Sequence, residues 1–368
     1  MNLRHGVPLF LGTLLLCAAA QQTSSKRPLP PVGKLTAGHD MNVARGAHTA
    51  SVLPDFKVLI AGGTDDKRAV LASTEVYDPT TENFTPSGLM TVPRQGHIAA
   101  VLSDGKVLIA GGANRSGALA SSEDYEYDTG KFTPRGNMHV ARARASVTVL
   151  RDGSPLVAGG SNGVQSLDSA ETYSVLTGKW ALVGKMSTPR VGHTATLLPD
   201  GRVLVVGGMG LKHGVLATAE IYDPKTKQFT RAGEMHQPRF QHAAVLLVNG
   251  KVLIVGGTSV EAKTSPALTS AELYDPATQT FTVTGNLNEG RSRLPDGASL
   301  RDGRALIVGG AMSAEIFDPR GGAFRQVDGS LDTARFNSAT IQVMDGSVRI
   351  FGGYDDKGAT RKSWIYRP

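Results

Sequence analysis

Short apolar runs recur along most of the chain, and each ends in a pair of glycines. The run KVLIAGG at 57–63 is typical, and a half-polar segment, HTASVL at 48–53, precedes it. Two such segments separated by a tight turn predict a pair of antiparallel strands. The glycine pairs begin at 62, 111, 159, 207, 256, 309 and 352, with spacings of 49, 48, 48, 49, 53 and 43 residues. A period in this range predicts a repeat protein built from one recurring unit.

Each repeat carries signals for four strands. In six repeats the first turn contains Asp-Gly or Asn-Gly, which tolerate positive φ and suit tight hairpins. A variable loop then leads to a third predicted strand, such as EVYDP at 75–79 or EIYDP at 220–224. A fourth short strand centres on an aromatic residue. These residues are Phe84, Phe132, Trp180, Phe229, Phe281 and Phe324. Four antiparallel strands per repeat predict the blades of an all-β propeller.

The order of these features resembles the kelch motif, which has Gly-Gly after the second strand, Tyr in the third and an aromatic residue in the fourth. The resemblance covers about residues 33–368 and recurs seven times, so it implies a seven-bladed β-propeller. WD40 repeats do not fit, because the sequence contains no Trp-Asp dipeptide.

The seventh repeat stops after its third predicted strand, SWIYRP, at the C-terminus. The missing strand can come from the other end, because GKLTAGHDM at 33–41 matches GKFTPRGNM at 130–138. A strand at 33–36 would cover two sheet edges that are otherwise open. We therefore predict an all-β, seven-bladed propeller of four-stranded antiparallel blades, with the last blade closed by the N-terminal strand.

The first 32 residues lie outside the repeats. Residues 1–20 combine Arg4, an apolar stretch and a small-residue site ending at Ala20, which is the layout of a secretory signal peptide. Residues 21–32 are a polar, proline-rich linker, and 33–368 form the propeller. We expect a periplasmic or secreted protein. A lipid anchor at Cys17 is less favoured, because Leu16 stands where a small residue normally precedes a lipidated cysteine.

The composition narrows the classes of function. The 39 Lys and Arg residues outnumber 32 acidic residues and give a formal net charge of +7, but they form no basic run, so no nucleic-acid partner is expected. Cys17 is the only cysteine, which excludes intramolecular disulfides and thiolate metal clusters. No later segment is long and apolar enough to span a bilayer. We expect a soluble monomer.

An arginine precedes each glycine pair, by 17 residues in six repeats and by 18 in the sixth. Hairpin geometry places these arginines, the glycine pairs and the variable loops on one face of the disc. A ring of arginines could receive an anionic ligand. We favour a structural role, in which each arginine pairs with the glutamate that opens the third strand. The arginines are Arg45, Arg94, Arg142, Arg190, Arg239, Arg291 and Arg335, and the glutamates are Glu75, Glu123, Glu171, Glu220, Glu272 and Glu315.

Repeats five to seven depart from this scheme. Trp364 stands where the seventh glutamate should be, so Arg335 has no predicted partner. Repeat six has Pro295 in its first strand and the shortest variable loop, whereas repeat five has the longest, 258–271. These irregularities predict a pocket for an anionic guest beside blades five to seven. The candidate ligand-binding residues are Arg291, Arg293, Arg335, Tyr354, Glu261 and Lys263.

Four histidines, His48, His97, His193 and His242, recur three residues after the arginine. We expect them to pack between blades, because equivalent positions on separate blades diverge around an axis and cannot converge on one metal ion. Kelch propellers similar to galactose oxidase use copper with a tyrosine cross-linked to a cysteine. The sole cysteine lies in the predicted signal peptide, so that activity is excluded and no cofactor is expected.

We interpret the chain as an exported, noncatalytic scaffold. It would bind a protein or a small anionic or saccharide ligand on the face that carries the loops between the second and third strands. The alternative is a mutarotase-like or epimerase-like enzyme acting on an acidic sugar, since that chemistry needs only an acid/base pair and an arginine. A hydrolase is not favoured, because no Gly-x-Ser-x-Gly elbow is present.

Overall fold

A computed structural model describes residues 30–260, 266–295 and 297–368. The predicted signal peptide, most of the predicted linker, and the candidate ligand-binding residues Glu261 and Lys263 lie outside these ranges.

Seven four-stranded antiparallel sheets form the blades of a propeller, as predicted. The first strand of each blade contacts the first strand of the next, and that of blade seven contacts that of blade one, so the first strands surround the axis. From the axis outward, blade one contains Thr49–Val52, Val58–Ala61, Thr74–Asp78 and Asn83–Pro86; blade two Ile98–Val101, Val107–Ala110, Ser122–Glu126 and Lys131–Pro134; and blade three Ser146–Val149, Pro155–Ala158, Ala170–Ser174 and Lys179–Leu182.

The remaining blades repeat this order. Blade four contains Thr194–Leu197, Val203–Val206, Thr218–Asp223 and Gln228–Glu234; blade five Ala243–Leu246, Val252–Val255, Ala271–Asp275 and Thr280–Val283; blade six Ala298–Ser299, Ala305–Ile307, Glu315–Asp318 and Ala323–Gln326; and blade seven Ala339–Gln342, Val348–Phe351, Ser363–Arg367 and Lys34–Ala37. Two small hairpins, Ala113–Asn114 with Gly117–Ala118 and Met209–Gly210 with Gly214–Val215, extend the variable loops of blades two and four.

The hydrophobic core lies in the seams between neighbouring blades. In the first seam, Leu59 and Ala61 of blade one pack with Val107 and Ile109 of blade two. The second strand of each blade is buried along its whole length, and its residues are apolar except for Arg349 in blade seven. Full burial of one Val, Leu or Ile side chain contributes roughly 1.5–3 kcal/mol, so the seams hold the ring together.

The glycine pairs allow the blades to approach closely. A Cβ on Gly62 would lie 2.6 Å from the carbonyl oxygen of Arg94 in the next blade, and a Cβ on Gly63 would lie 2.6 Å from that of Gly46. Both residues also have positive φ, 63° and 92°, which glycine adopts without strain. The glycine pair is therefore required where one blade meets the next.

The N-terminal strand closes the ring, which confirms the prediction. Lys34–Ala37 pairs antiparallel with the final strand, in a register from Lys34 opposite Arg367 to Ala37 opposite Trp364. Leu35 is only 2% exposed and packs in the cluster between blades six and seven.

None of the described residues belongs to a helix that is long and apolar enough to cross a membrane.

A chain that begins at Met41 should have a clearly lower thermal midpoint than one that begins at Val32. The shorter chain loses the outer strand of blade seven and leaves an apolar edge uncovered. Thermal unfolding of the two chains, followed by circular dichroism, measures the difference. Equal midpoints would show that the N-terminal strand does not stabilise the ring.

Candidate functional site

The seven repeat arginines are buried, each no more than 1% exposed. In blades one to six the guanidinium is paired with the glutamate of the third strand: Arg45–Glu75 at 2.8 Å, Arg94–Glu123 at 2.8 Å, Arg142–Glu171 at 2.9 Å, Arg190–Glu220 at 2.8 Å, Arg239–Glu272 at 3.2 Å and Arg291–Glu315 at 3.1 Å. The second guanidinium nitrogen of Arg190 donates to the carbonyls of Gly207 and Thr218. Burial lowers the pKa of Arg190, and Glu220 opposes this effect.

The other oxygen of each glutamate holds the segment that enters the blade. The Glu171 carboxylate accepts the backbone N–H and the Nδ1 of His139, and the Glu272 carboxylate accepts the same two groups of His236. Burial alone would raise the pKa of Glu171, but these hydrogen bonds and Arg142 outweigh it, so its pKa is lowered. The carboxylates are thus satisfied within the scaffold and do not face a ligand.

The arginine of blade seven differs from the prediction. Arg335 was expected to lack an acidic partner because Trp364 replaces the glutamate, but Arg335 binds Asp332 at 2.7 Å and Asp355 at 2.5 Å. Its guanidinium carbon lies 5.2 Å from the centre of the Trp364 ring, within cation–π range. The negative charge has moved from the third strand to the segments before the first strand and after the second, so the expectation of a free Arg335 was wrong.

The other described candidate ligand-binding residues do not form one site. Arg291 is fully buried against Glu315 and the Ser313 carbonyl, which leaves no surface for a ligand. Tyr354 is hydrogen-bonded to Thr64 of blade one, and its ring lies where a Cβ on Gly46 would be. Arg293 is exposed, and its guanidinium carbon lies 5.7 Å from the centre of the Phe336 ring.

A cavity of about 530 Å³ lies on the axis, at the end where the first strands begin. Its rim is formed by the residue two positions after each repeat arginine, and all seven of these line it. The seven rim residues have left-handed φ of 51–64° and are Ala47, Gly96, Arg144, Gly192, Gln241, Arg293 and Asn337. Backbone hydrogen bonds link neighbouring rim residues, as from Gly96 N–H to Ala47 O at 2.9 Å and from Arg144 N–H to Gly96 O at 2.8 Å.

Two rim residues carry positive charge. Arg144 and Arg293 are exposed and line the cavity, and neither forms a side-chain hydrogen bond or ion pair with another described residue. The described lining residues include no Asp or Glu. Burial raises the pKa of Tyr354, and the positive charge of Arg144 opposes this rise. The charged side chains among the described rim residues are therefore both positive.

The four repeat histidines pack between blades and line the same cavity. The ring of His97 lies against Gly62 of the preceding blade, and the ring of His193 against Gly159. Burial, reinforced by the charge of the adjacent repeat arginine, lowers the pKa of His97 and that of His193 to about 3. These histidines are neutral at physiological pH and add no charge to the cavity.

Comparison with protein families matches the Kelch motif to residues 156–187, 189–236 and 239–288, which lie in blades three to five. The same four-stranded unit, glycine pair and buried arginine occur in all seven blades. The chain is a seven-bladed β-propeller that carries kelch motifs. Among solved structures, this propeller is similar to a fungal alcohol oxidase of the AA5 family in complex with copper, with a TM-score of 0.76 and 19% sequence identity over 92% of this chain and 76% of that chain. No curated protein matches the sequence.

The residues of this kelch propeller do not fit a copper centre like the one named for that neighbour. Within the described ranges, no group of three or more His, Cys, Asp or Glu side chains is placed to hold a metal ion. The Nε2 atoms of His97, His193 and His242 are each hydrogen-bonded to a hydroxyl group on the preceding blade. The similarity shows a shared fold.

Arg144 was missed by sequence reasoning, whereas Arg293 was singled out because blade six is irregular. The useful signal is the position two residues after the repeat arginine. Small residues occupy it in blades one, two and four, and long polar side chains occupy it in blades three, five and six.

Arg190→Ala and Glu220→Ala should each destabilise the propeller by about 3–5 kcal/mol, because either change leaves a buried charge without its partner. Urea denaturation measures the loss. Arg231→Ala is the matched control, since Arg231 pairs with Glu234 on the surface, where such pairs contribute roughly 0–1 kcal/mol. Near-neutral effects of both buried substitutions would refute the structural role of the pair.

Stability should fall on acidification. A buried histidine with a lowered pKa stays neutral in the folded state but binds a proton on unfolding below pH 6.5. Each such histidine therefore lowers the free energy of unfolding by roughly 1.4 kcal/mol for each unit that the pH falls between pH 6.5 and about 3.

His97→Ala should reduce the slope of the free energy of unfolding against pH between pH 6 and pH 4. Alanine is tolerated there, because Ala145 occupies this position in blade three. His213→Ala, in an exposed loop, is the control. Denaturant titrations at several pH values give the slope, and an unchanged slope in His97→Ala would contradict the assignment.

Proposed function

We propose that this propeller is a noncatalytic binding protein that holds a small anionic ligand at the rim of the axial cavity. Arg144 and Arg293 would bind the anion through charge-assisted hydrogen bonds. A kelch propeller supports a binding role in general, because it presents variable residues on a rigid frame. We also propose that the protein acts outside the cytoplasm, as the first 20 residues indicate.

The observation that carries the proposal is the placement of two arginines at the rim. Arg144 and Arg293 line the cavity, and neither forms a side-chain hydrogen bond or ion pair with another described residue. Their left-handed φ values of 53° and 52° are shared by the other rim residues and belong to the repeat. Two cations beside a cavity of ligand size support a binding role.

The same site gives less support to an enzyme acting on an acidic sugar. Proton transfer needs a group whose pKa lies near the working pH. The histidines of the cavity wall have pKa values far below that range, and the described lining residues provide no carboxylate. A binding role therefore accounts for the chemistry of this cavity.

The double variant Arg144→Gly/Arg293→Gly tests the proposal. It introduces glycine, the residue that blades two and four have at this position (Gly96 and Gly192), and should leave the thermal midpoint unchanged or higher. Isothermal titration calorimetry with D-glucuronate should show binding to the original protein and at least a tenfold weaker affinity in the variant, since each charged hydrogen bond contributes about 1.5–3 kcal/mol. D-glucose is the neutral control ligand.

Arg231→Ala/Arg320→Ala is the matched control protein, because it removes the same charge from the outer surface. This variant should bind D-glucuronate like the original chain. Equal affinity in the Arg144/Arg293 variant would refute the proposed site. Absence of binding to D-glucuronate, citrate and phosphate by the original protein would refute anion binding in this cavity.

A further inference from the structure

The two rim arginines stand on nearly opposite sides of the axial cavity. At five blade junctions, the N–H of a rim residue donates to the carbonyl oxygen of the rim residue in the preceding blade, at 2.8–3.1 Å. Main chains linked in this way lie about 5 Å apart. Arg144 belongs to blade three and Arg293 to blade six, so in a ring of seven such positions their backbones are roughly 11 Å apart.

The two side chains also point toward different blades. A Cβ on Gly96 would lie 3.4 Å from the Cγ of Arg144, so the Arg144 side chain leans over blade two. The guanidinium carbon of Arg293 lies 5.7 Å from the centre of the Phe336 ring, which belongs to blade seven. Each guanidinium therefore serves its own part of the rim, and one carboxylate could bridge both only if the side chains swung across the cavity.

Each guanidinium suits one carboxylate. The planar fork of an arginine donates two parallel N–H bonds to the two carboxylate oxygens and balances their single charge. The described lining residues include no lysine and no arginine other than Arg144 and Arg293. A phosphate dianion at either arginine would keep one charge without a partner, whereas two carboxylates would each find one.

The wall between the arginines is mostly apolar. Three residues after the rim position, the first strands of blades one to four place Ala50, Ala99, Val147 and Ala195 in the lining, and blade seven places Thr340 there. A charged or strongly polar group loses its hydration against such a wall without gaining partners. A hydrocarbon spacer has no such loss, so it fits the middle of the cavity.

We propose that the axial cavity binds an aliphatic dicarboxylate. One carboxylate lies at Arg144, the other lies at Arg293, and the hydrocarbon spacer crosses the cavity between them. This inference rests on the proposed function, to which it adds the number and the separation of the anionic groups.

Adipate and hexanoate test the inference, because both have six carbons and differ in the second carboxylate. Isothermal titration calorimetry should show that adipate binds at least tenfold more tightly than hexanoate, since it forms a second charge-assisted pair. Malonate is the control for charge. It is a dicarboxylate like adipate, but a single carbon separates its carboxylates, so it cannot reach both arginines and should bind at least tenfold more weakly than adipate.

The single variants Arg144→Gly and Arg293→Gly test whether the arginines act separately. Each should weaken adipate binding at least tenfold, to about the affinity of hexanoate for the original protein. Hexanoate affinity should fall no more than about twofold in either variant, because the remaining arginine still holds its single carboxylate. Arg231→Ala, which removes one positive charge from the outer surface, is the matched control and should bind adipate like the original protein.

The outcomes separate this inference from the proposed function. If adipate binds the original protein no more tightly than hexanoate or malonate, or if each single variant loses hexanoate binding as strongly as adipate binding, the arginines hold one anionic group together. The dicarboxylate inference is then refuted and the anion site stands. The same holds if D-glucuronate binds and neither adipate nor hexanoate does. If none of these acids binds the original protein, the proposed function fails and this inference fails with it.

Discussion

The buried arginine at the start of each blade is the interaction on which the propeller depends. Its side chain fastens the second and third strands of its own blade, and its carbonyl oxygen accepts an N–H from the glycine pair of the preceding blade. Gly63 donates to Arg94, Gly208 to Arg239, and Gly353 to Arg45 across the closing seam. One residue therefore stabilises both its own blade and the junction with the preceding blade. In blade seven, where Trp364 replaces the glutamate, Asp332 and Asp355 supply the acidic partners.

This constraint also decides where a ligand can bind. The repeat arginines are paired with acidic residues inside the scaffold, so a ligand would have to be recognised by residues at positions where the blades differ. One such place is the rim of the axial cavity, where backbone hydrogen bonds fix the main chain while the side chains vary. Rigid backbone with variable side chains is the arrangement that binding sites on repeat scaffolds use.

Sequence patterns were sufficient for the fold. The 17-residue spacing from arginine to glycine pair, the Asp-Gly turns and the similarity of 33–41 to 130–138 depend on local geometry that repeats seven times. The site was less predictable because it depends on distances around a ring. Arg144 and Arg293 belong to blades three and six, and only closure of the propeller brings them to one cavity. Arg335 was misjudged for the same reason, because its partners do not occupy the repeat position of glutamate.

The closing seam has a mechanical consequence. The first and last strands run antiparallel, and Lys34 lies opposite Arg367, so both chain ends leave blade seven at the same end of its outer pair. A force that separates the two ends loads the hydrogen bonds of this pair one after another, as in opening a zipper, rather than all together. Under a pull on the two ends, the outer strand of blade seven would therefore detach before the other strands of that blade.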